Sequence, residues 1–546
     1  NEGELGFFNL VERVIASGTN TFTTPIDGAT FLLDGQLVKG KPVGTTLDIS
    51  QLGSPYLSHL MDDFLDSDYQ PLVQTSRLCP YTCAFCVSGK TRGKLRGFNI
   101  EQVKDEITYV AKKYADKPHH TLFLADENFG ILKRDIGIAE HIAECSKRHG
   151  YPKKVFFYND KNFSGTSQTI VEILGSMNMY GLTLALQTEN PTALKAINRK
   201  NVNEEKMESV IGWAKEKNIS TTTELIFGLP YETRDSFTTL LDRSVKRGFD
   251  KILCHNLFIM DGIELNRRKQ REQFSLETKY RLLGSNYEEV DGSFVMEHEE
   301  VVVKSDSFDY DDYSYIRNIN FLFYAIFVQD FERWFFKYLV QRGVVLSEFV
   351  LQFFSPPNEI SWPAAYLRFL QDFRSEVENE QFESREELYK DTHKTYLENG
   401  NQVGRPSRIN VYFGSRLIYL EKNWIKEVLM KHVEYLNSQK GYSIDCGHAD
   451  FLIRMGEVER VDLRGDISDH TLSCEYDILA WIREGFRTNL GARLEKYRTV
   501  SLSATKDQKI LIGEFCSKFI DSPDSEFYYA AVDMITPSHL LRFRLT

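Results

Sequence analysis

Between residues 68 and 262, short apolar runs alternate with longer segments in which apolar positions recur every three or four residues. The runs Leu72–Thr75, Thr121–Ala125, Val155–Tyr158, Leu182–Gln187, Thr221–Phe227 and Lys251–Ile259 read as strands. The first intervening helix sets Ile100, Val103, Ile107 and Val110 against a charged face, and starts at Asn99 with Gln102 placed to complete a capping box. Further helices are expected over Ile136–His149, Gln168–Met177, Glu204–Lys217 and Arg234–Arg247. Alternation of this kind builds a parallel sheet with helices outside it. Six such units fall short of the eight of a closed barrel, and functional residues in such folds gather at the C-terminal strand ends.

Past residue 300 the alternation stops. Helical patterns follow at Tyr315–Val328, Glu332–Gln341, Pro363–Glu376, Arg416–Ser438, Tyr476–Asn489 and Asp507–Ile520, with the polar turn 307–312 set to cap the first. Residues Glu398–Ser407, with Asn, Gly and Pro, read as a loop. This half is expected to be mainly helical, with a few strands near the end. Its most apolar stretch, Phe321–Val328, is far short of the ~20 residues that cross a bilayer and reads as a buried helix.

A chain of 546 residues has room for two or three domains. Its net charge of −12 disfavours a nucleic-acid backbone as partner. Cys145, Cys254, Cys446, Cys474 and Cys516 are well separated and read as single buried thiols. The opening Asn1-Glu2-Gly3-Glu4 has no signal-peptide pattern, and unpaired cysteines suit a reducing, cytoplasmic setting.

The sharpest chemical signal lies just after the first strand: Cys79, Cys83 and Cys86, spaced C-x3-C-x2-C on one loop. Three thiolates held this closely can bind three irons of a cubic 4Fe–4S cluster and leave the fourth open to a small molecule. A structural zinc site wants a fourth Cys or His close by, and none follows. A disulfide needs an even count and an oxidising compartment. On the triplet alone, a zinc or other metal loop stays open.

With this triplet, Phe85 before its last cysteine, and Gly228-Leu229-Pro230-Tyr231-Glu232-Thr233 at the end of the fifth strand, the chain resembles the radical S-adenosylmethionine (SAM) superfamily. The resemblance implies an α/β fold: a partial (β/α)6 TIM-like barrel over residues 67–295, followed by a mainly helical domain of unknown role over 300–546. It also implies that the open iron is chelated by the methionine amino and carboxylate groups of SAM. Asp126 or Glu127, at the end of the second strand, would hold the methionine amino group. Gln187 and Thr188, at the end of the fourth, would meet the ribose, and Arg199 the methionine carboxylate. Glu224, Gly228 and Leu229 on the fifth strand complete the cofactor-binding set, with main-chain groups reading the adenine edge. Glu232 reads as a helix-capping residue. Thr188 replaces the family's usual Ser, Ile263 its Thr, and Leu78 a common Gly.

Residues 1–66 are similar to the junction that follows a cobalamin-binding domain in cobalamin-dependent members, through Asn1-Glu2-Gly3-Glu4, Phe8–Ile15 as a helix, Pro25–Gly28, Asp34-Gly35 and Leu47–Tyr56. The alternative is a short N-terminal strap on the barrel, since junction sequences are loosely constrained loops. Lys90, Arg92, Lys94 and Arg96 either meet an anionic substrate or form a solvated surface.

The expectation is therefore an enzyme that uses a 4Fe–4S cluster to cleave SAM reductively to a 5′-deoxyadenosyl radical. With the upstream domain, cobalamin joins the cofactors and C-methylation of a small molecule, or a related radical modification, is the outcome. An electron donor such as flavodoxin or ferredoxin is implied; nucleic acid and membrane are not. The other readings are a radical SAM enzyme without cobalamin and a non-catalytic protein with a metal loop.

Overall fold

The computed structural model describes residues 3–43, 48–67, 69–88, 94–178, 181–400, 408–465, 467–486, 488–535 and 541–546. They fall into two compact units, Asn1–Asp160 with Ser164–Leu174, and Lys161–Phe163 with Gly175–Thr546.

In the first unit, strands Leu72–Val73, Thr121–Leu124 and Lys154–Phe156 form a parallel sheet in that order, with Leu72 opposite Phe123 and Thr121 opposite Lys154. Helices Ile100–Lys113, Asp135–His149 and Gly165–Leu174 follow the strands and bury their apolar stripes. Asn99 caps the first helix by accepting from the backbone N–H groups of Glu101 and Gln102. The expected capping box is half made, because the Gln102 amide reaches forward to Glu106 Oε1 at 3.3 Å rather than back. The N-terminal segment contributes helix Glu4–Ser17 and hairpin Thr30–Leu33/Gln36–Lys39. Gly6 and Gly28 meet backbone to backbone, and a Cβ on Gly6 would lie 2.8 Å from the Gly28 carbonyl oxygen.

In the second unit, strands Leu182–Thr183, Thr221–Phe227 and Lys251–Asn256 form another three-stranded parallel sheet, Thr221–Phe227 in the middle. The six expected strands are therefore present in chain order, several of them shorter than expected, and the described chain is α/β. Two sheets of three are what the hydrogen bonding defines.

A long antiparallel hairpin follows, Glu277–Val290 with Ser293–Lys304. Sequence reading missed it, and the expected break near residues 295–300 falls inside its second strand. Ion pairs such as Arg281–Glu299 and Lys304–Glu277 cross the ladder, and Leu282 and Phe294 bury against Leu388 and Tyr396; a register shift between Leu282 and Tyr287 breaks the period-two pattern that would have marked the strands.

Beyond it the chain is mainly helical. Asp309 caps helix Tyr310–Phe323 through a full capping box with Asp312. That helix runs into a π turn, Tyr324–Val328, and a second π turn, Arg416–Leu420, precedes helix Ile425–Lys440. The expected helix 416–438 is thus broken at its start, and Tyr476–Asn489 shrinks to Ile478–Arg483. A small antiparallel sheet, His470–Cys474, Arg498–Ser503 and Arg544–Leu545, closes the chain. The helical core is rich in aromatics: the Phe321 ring centroid lies 4.7 Å from that of Phe373 and 6.2 and 6.3 Å from those of Phe354 and Phe413. Each fully buried Phe contributes about 1.5–3 kcal/mol. Among the described residues no helix is long and apolar enough to cross a membrane. Cys446 is exposed and Cys254 and Cys516 half-buried, so of the five isolated thiols only Cys145 and Cys474 are buried as expected.

Two buried polar groups carry energetic consequences. Glu459 has no solvent exposure and accepts from Arg333 and from Trp334 Nε1 at 2.9 Å. Removing its charge leaves buried guanidinium unpaired, so Glu459→Gln should cost about 3–5 kcal/mol, read as a lowered urea midpoint.

His432 is enclosed by Phe349, Phe353, Trp362 and Tyr366, with Gln352 Nε2 at 3.0 Å from its Nδ1. Burial pushes its imidazole down to about 3. Above the unfolded value of ~6.5, both folded and unfolded states are neutral and the residue costs nothing. As pH falls below that, the unfolded chain takes up a proton that the folded chain refuses, and stability drops until about pH 3. Between roughly pH 6.5 and 5 this removes about 2 kcal/mol. Urea unfolding at a series of pH values should show that component in the natural chain and not in His432→Gln.

Candidate active site

The cysteine loop hangs from the first sheet by two anchors. Asp126, just past strand Thr121–Leu124, is 3% exposed. Its carboxylate accepts from Thr75 N at 2.9 Å, from Thr75 Oγ1 at 2.8 Å and from Ser76 Oγ. Burial raises its pKa, and these hydrogen bonds oppose the rise. On the other side, the Arg134 guanidinium donates to the carbonyls of Phe98 and Thr75. An antiparallel pair, Ser76–Arg77 with Arg96–Gly97, joins the loop's two ends, and a Cβ on Gly97 would overlap that guanidinium. Glu4 of the N-terminal helix reaches the same place, 2.6 Å from Arg77.

The chain then turns through Leu78, whose φ of 74° lies in the left-handed region. The substitution for glycine noted in the sequence is therefore a strained one. Cys83 is buried, while Cys79, Phe85 and Cys86 are half-buried. Cys86 N donates to the Cys83 carbonyl at 3.2 Å and Ser88 N to the Cys86 sulfur at 3.4 Å. Asn128 Nδ2 donates to the Cys79 sulfur at 3.1 Å. Burial raises the Cys79 thiol, and the nearby Glu127 charge adds to this. Tyr81 OH donates to Asp160 at 2.6 Å, which ties the loop to the end of the third strand.

Asp126 and Glu127, indistinguishable in the sequence, are separated here: Asp126 points inward and is spent on the loop, whereas Glu127 is exposed beside Cys79. Asn128 and Asp160 were missed. The strand-end rule, applied one residue further on the second strand and applied at all to the third, would have found both. Lys90 and Arg92 lie outside the described residues; Lys94 is exposed and Arg96 half-buried.

A 4Fe–4S cluster fits this donor set. Three soft sulfur ligands sit on one loop, and two of the three sulfurs already accept N–H donors of the kind that tune cluster potentials. Among the described residues no group of three or more His, Cys, Asp or Glu converges to hold a single metal ion.

The second unit gathers the remaining candidates at its own strand ends. Gln187 has φ 63°; its N–H donates to the Glu224 carbonyl at 2.8 Å and its carbonyl accepts from Ile226 N at 2.9 Å. This left-handed kink buries the side chain at 7% exposure with Oε1 lacking a partner among the described residues. A buried acceptor left open is what a ligand hydroxyl would fill. Thr188 is fully buried and donates to Glu232 Oε2, while Ser236 Oγ donates to the other Glu232 oxygen. Glu232 is thus a bridge, and Thr233 is the helix cap. Arg199 is 8% exposed and donates to the Ala185 carbonyl and to Asn201 Oδ1 at 3.1 Å, bracing the chain beneath Gln187. Glu224 is half-buried on its strand and Leu229 fully buried. Gly228 has φ 99°, and a Cβ there would press on Leu257 Cβ at 3.2 Å, so this turn needs glycine twice over.

Comparison with known proteins agrees with this chemistry. Residues 73–243 match the Radical SAM superfamily. The cobalamin-dependent radical SAM methyltransferase TokK of Streptomyces tokunonensis is 30% identical over 286 residues, 51% of this chain and 41% of that protein. The 2-(S-pantetheinyl)-carbapenam-3-carboxylate methyltransferase of Streptantibioticus cattleyicolor is 30% identical over 289 residues, again 51% and 41%. The aligned segment thus spans well under half of each relative. A solved structure of the cobalamin-dependent SAM radical enzyme OxsB with aqua-cobalamin bound aligns over 83% of this chain and 67% of that one at 11% identity, with a TM-score of 0.42. Residues 73–243 thus match the Radical SAM superfamily, and about half of the chain is similar to the cobalamin-dependent radical SAM methyltransferase TokK.

Proposed function

We propose that this chain is the radical portion of a cobalamin-dependent SAM enzyme that C-methylates, or otherwise modifies by radical chemistry, a small molecule. The observation that carries this reading is the Cys79–Cys86 loop, with its two N–H donors to sulfur, in a chain about half of which is 30% identical to the cobalamin-dependent radical SAM methyltransferase TokK. Residues 1–66 are the junction to a cobalamin-binding domain, 67–295 a partial six-stranded barrel, and 300–546 the part that sets substrate specificity. The setting is cytoplasmic, with flavodoxin or ferredoxin as electron donor and no nucleic-acid partner.

Cys79, Cys83 and Cys86 hold the cluster. When bound, the cluster and SAM supply one-electron cleavage of a sulfonium and hydrogen-atom abstraction, and cobalamin supplies a methyl group. The chain's own residues position and shield. Asn128 and the Ser88 amide stabilise thiolate charge on Cys79 and Cys86. Glu127 faces the methionine ammonium, Gln187 Oε1 accepts from a ribose hydroxyl, and Gly228 with Leu229 offers main-chain groups to adenine. Asp126, Thr188 and Arg199 act as positioning residues, since their polar atoms are spent within the protein. Phe85 shields the sulfurs from water.

After anaerobic reconstitution, the natural chain should hold about four irons and form 5′-deoxyadenosine from SAM under dithionite. Cys83→Ala should lose both the iron and at least a hundredfold in 5′-deoxyadenosine yield, and full cleavage by that variant would sink the assignment. Addition of hydroxocobalamin to a version carrying the upstream domain separates the cobalamin-dependent reading from a cobalamin-free one, by whether a cobalamin spectrum co-purifies.

The two neighbouring carboxylates should respond differently. Asp126→Asn should lower stability by about 1–3 kcal/mol through a mispaired buried amide. Glu127→Gln should leave the melting temperature unchanged and weaken SAM binding several-fold, measured by equilibrium titration.

A further inference from the structure

A small cavity of about 10 Å³ in the second unit is lined by Gln329, Ile418, Tyr419, Arg460, Leu541 and Arg542. The centre of a water-sized sphere can move through that volume, so the walls leave room for a single ion somewhat larger than water. Two of the six lining side chains are guanidiniums and none is a carboxylate.

Both arginines are sunk deep. Arg542 is 3% exposed; its Nη2 donates to the carbonyls of Gln329, at 3.3 Å, and Asp330. Its Nη1 has no hydrogen-bond partner among the described residues, and Glu459 comes only to 3.9 Å. The Arg460 side chain is 7% exposed and donates to the Ile418 carbonyl and to Glu332 Oε1, both at 2.6 Å, but its Nε is unpartnered among the described residues. The surrounding cluster sets three guanidiniums, Arg333, Arg460 and Arg542, against the two buried carboxylates Glu332 and Glu459. Glu457 is exposed and Asp330 half-buried, and neither lines the cavity. Burial also holds the Glu332 carboxyl at about 7, against the pull of Arg460 and Arg542, so its negative charge is incomplete at neutral pH. An uncompensated buried cation costs several kcal/mol.

The backbone around the cavity is as unusual as its charge. Gln329 ends one π turn, Tyr324–Val328, and Ile418 and Tyr419 lie within the other, Arg416–Leu420. Such turns are rare and concentrate at functional sites. Asp330 and Glu332, with φ of 54° and 44°, hold left-handed conformations in the loop that Arg542 and Arg460 clamp.

We propose that this cavity binds one small monovalent anion of halide size, held by Arg460 and Arg542. A water molecule in that space would leave the charge unbalanced. The anion would balance the third guanidinium and pin the 329–332 loop to the Arg460 and Arg542 segments.

Crystals of the full chain grown with bromide in place of chloride test this. The proposal expects an anomalous bromine peak in contact with Arg542 Nη1; a site holding only water overturns it. In solution, the melting temperature should rise saturably by a few degrees as chloride replaces gluconate at constant ionic strength. Arg542→Met should abolish that chloride-dependent rise, and an unchanged response would overturn the assignment. The bromide measurement uses the unaltered chain and decides the matter if that variant does not fold.

Discussion

The Asp126 carboxylate is nearly out of water, and all of its compensation comes from Thr75 and Ser76, the residues immediately before the cysteine loop. Desolvating a carboxylate is expensive, so the chain leaves the first strand at whatever angle keeps those three donors in place. That constraint propagates forward: it sets the antiparallel pair with Arg96–Gly97, forces Leu78 into the left-handed region and fixes where Cys79 emerges. Arg134 closes the arrangement from the opposite side through two carbonyls. The sulfur ligands are thus presented by a rigid bracket built from groups that never touch them.

The second unit solves a similar problem with different parts. The kink at Gln187 returns both of its main-chain hydrogen bonds to the neighbouring strand, so the ladder survives while the side chain turns inward with its oxygen open. Thr188, Glu232 and Ser236 form a buried chain of hydroxyls and carboxylate beneath it, and Arg199 braces the preceding carbonyl. Both units therefore keep bracing residues apart from those left free to bind.

Much of this was legible in the sequence because the relevant signals are local. Alternating apolar runs located all six parallel strands, and eight residues of cysteine spacing located the loop. What stayed hidden depends on three-dimensional partners. Adjacent Asp126 and Glu127 carry the same charge, and only the pleat decides which one faces Thr75. The hairpin 277–304 buries Leu282 and Phe294 against Leu388 and Tyr396, far along the chain, and a register shift between Leu282 and Tyr287 interrupts its period-two hydropathy. The π turns at 324–328 and 416–420 insert an irregularity into runs whose composition is plainly helical. Arg460 and Arg542 sit 82 positions apart in the sequence, yet their backbones pair in one isolated bridge, a contact that no window of residues contains.

Leu78 shows what this bracket asks of the residues it strains. A leucine held left-handed gives up about 1–2 kcal/mol relative to a relaxed backbone. The position is therefore unevenly open to mutational drift. Glycine removes the strain and asparagine lessens it, whereas valine or isoleucine, stiff at the β-carbon, would deepen it. One residue before its chemistry begins, the chain has a gate that admits small or flexible side chains and turns branched ones away.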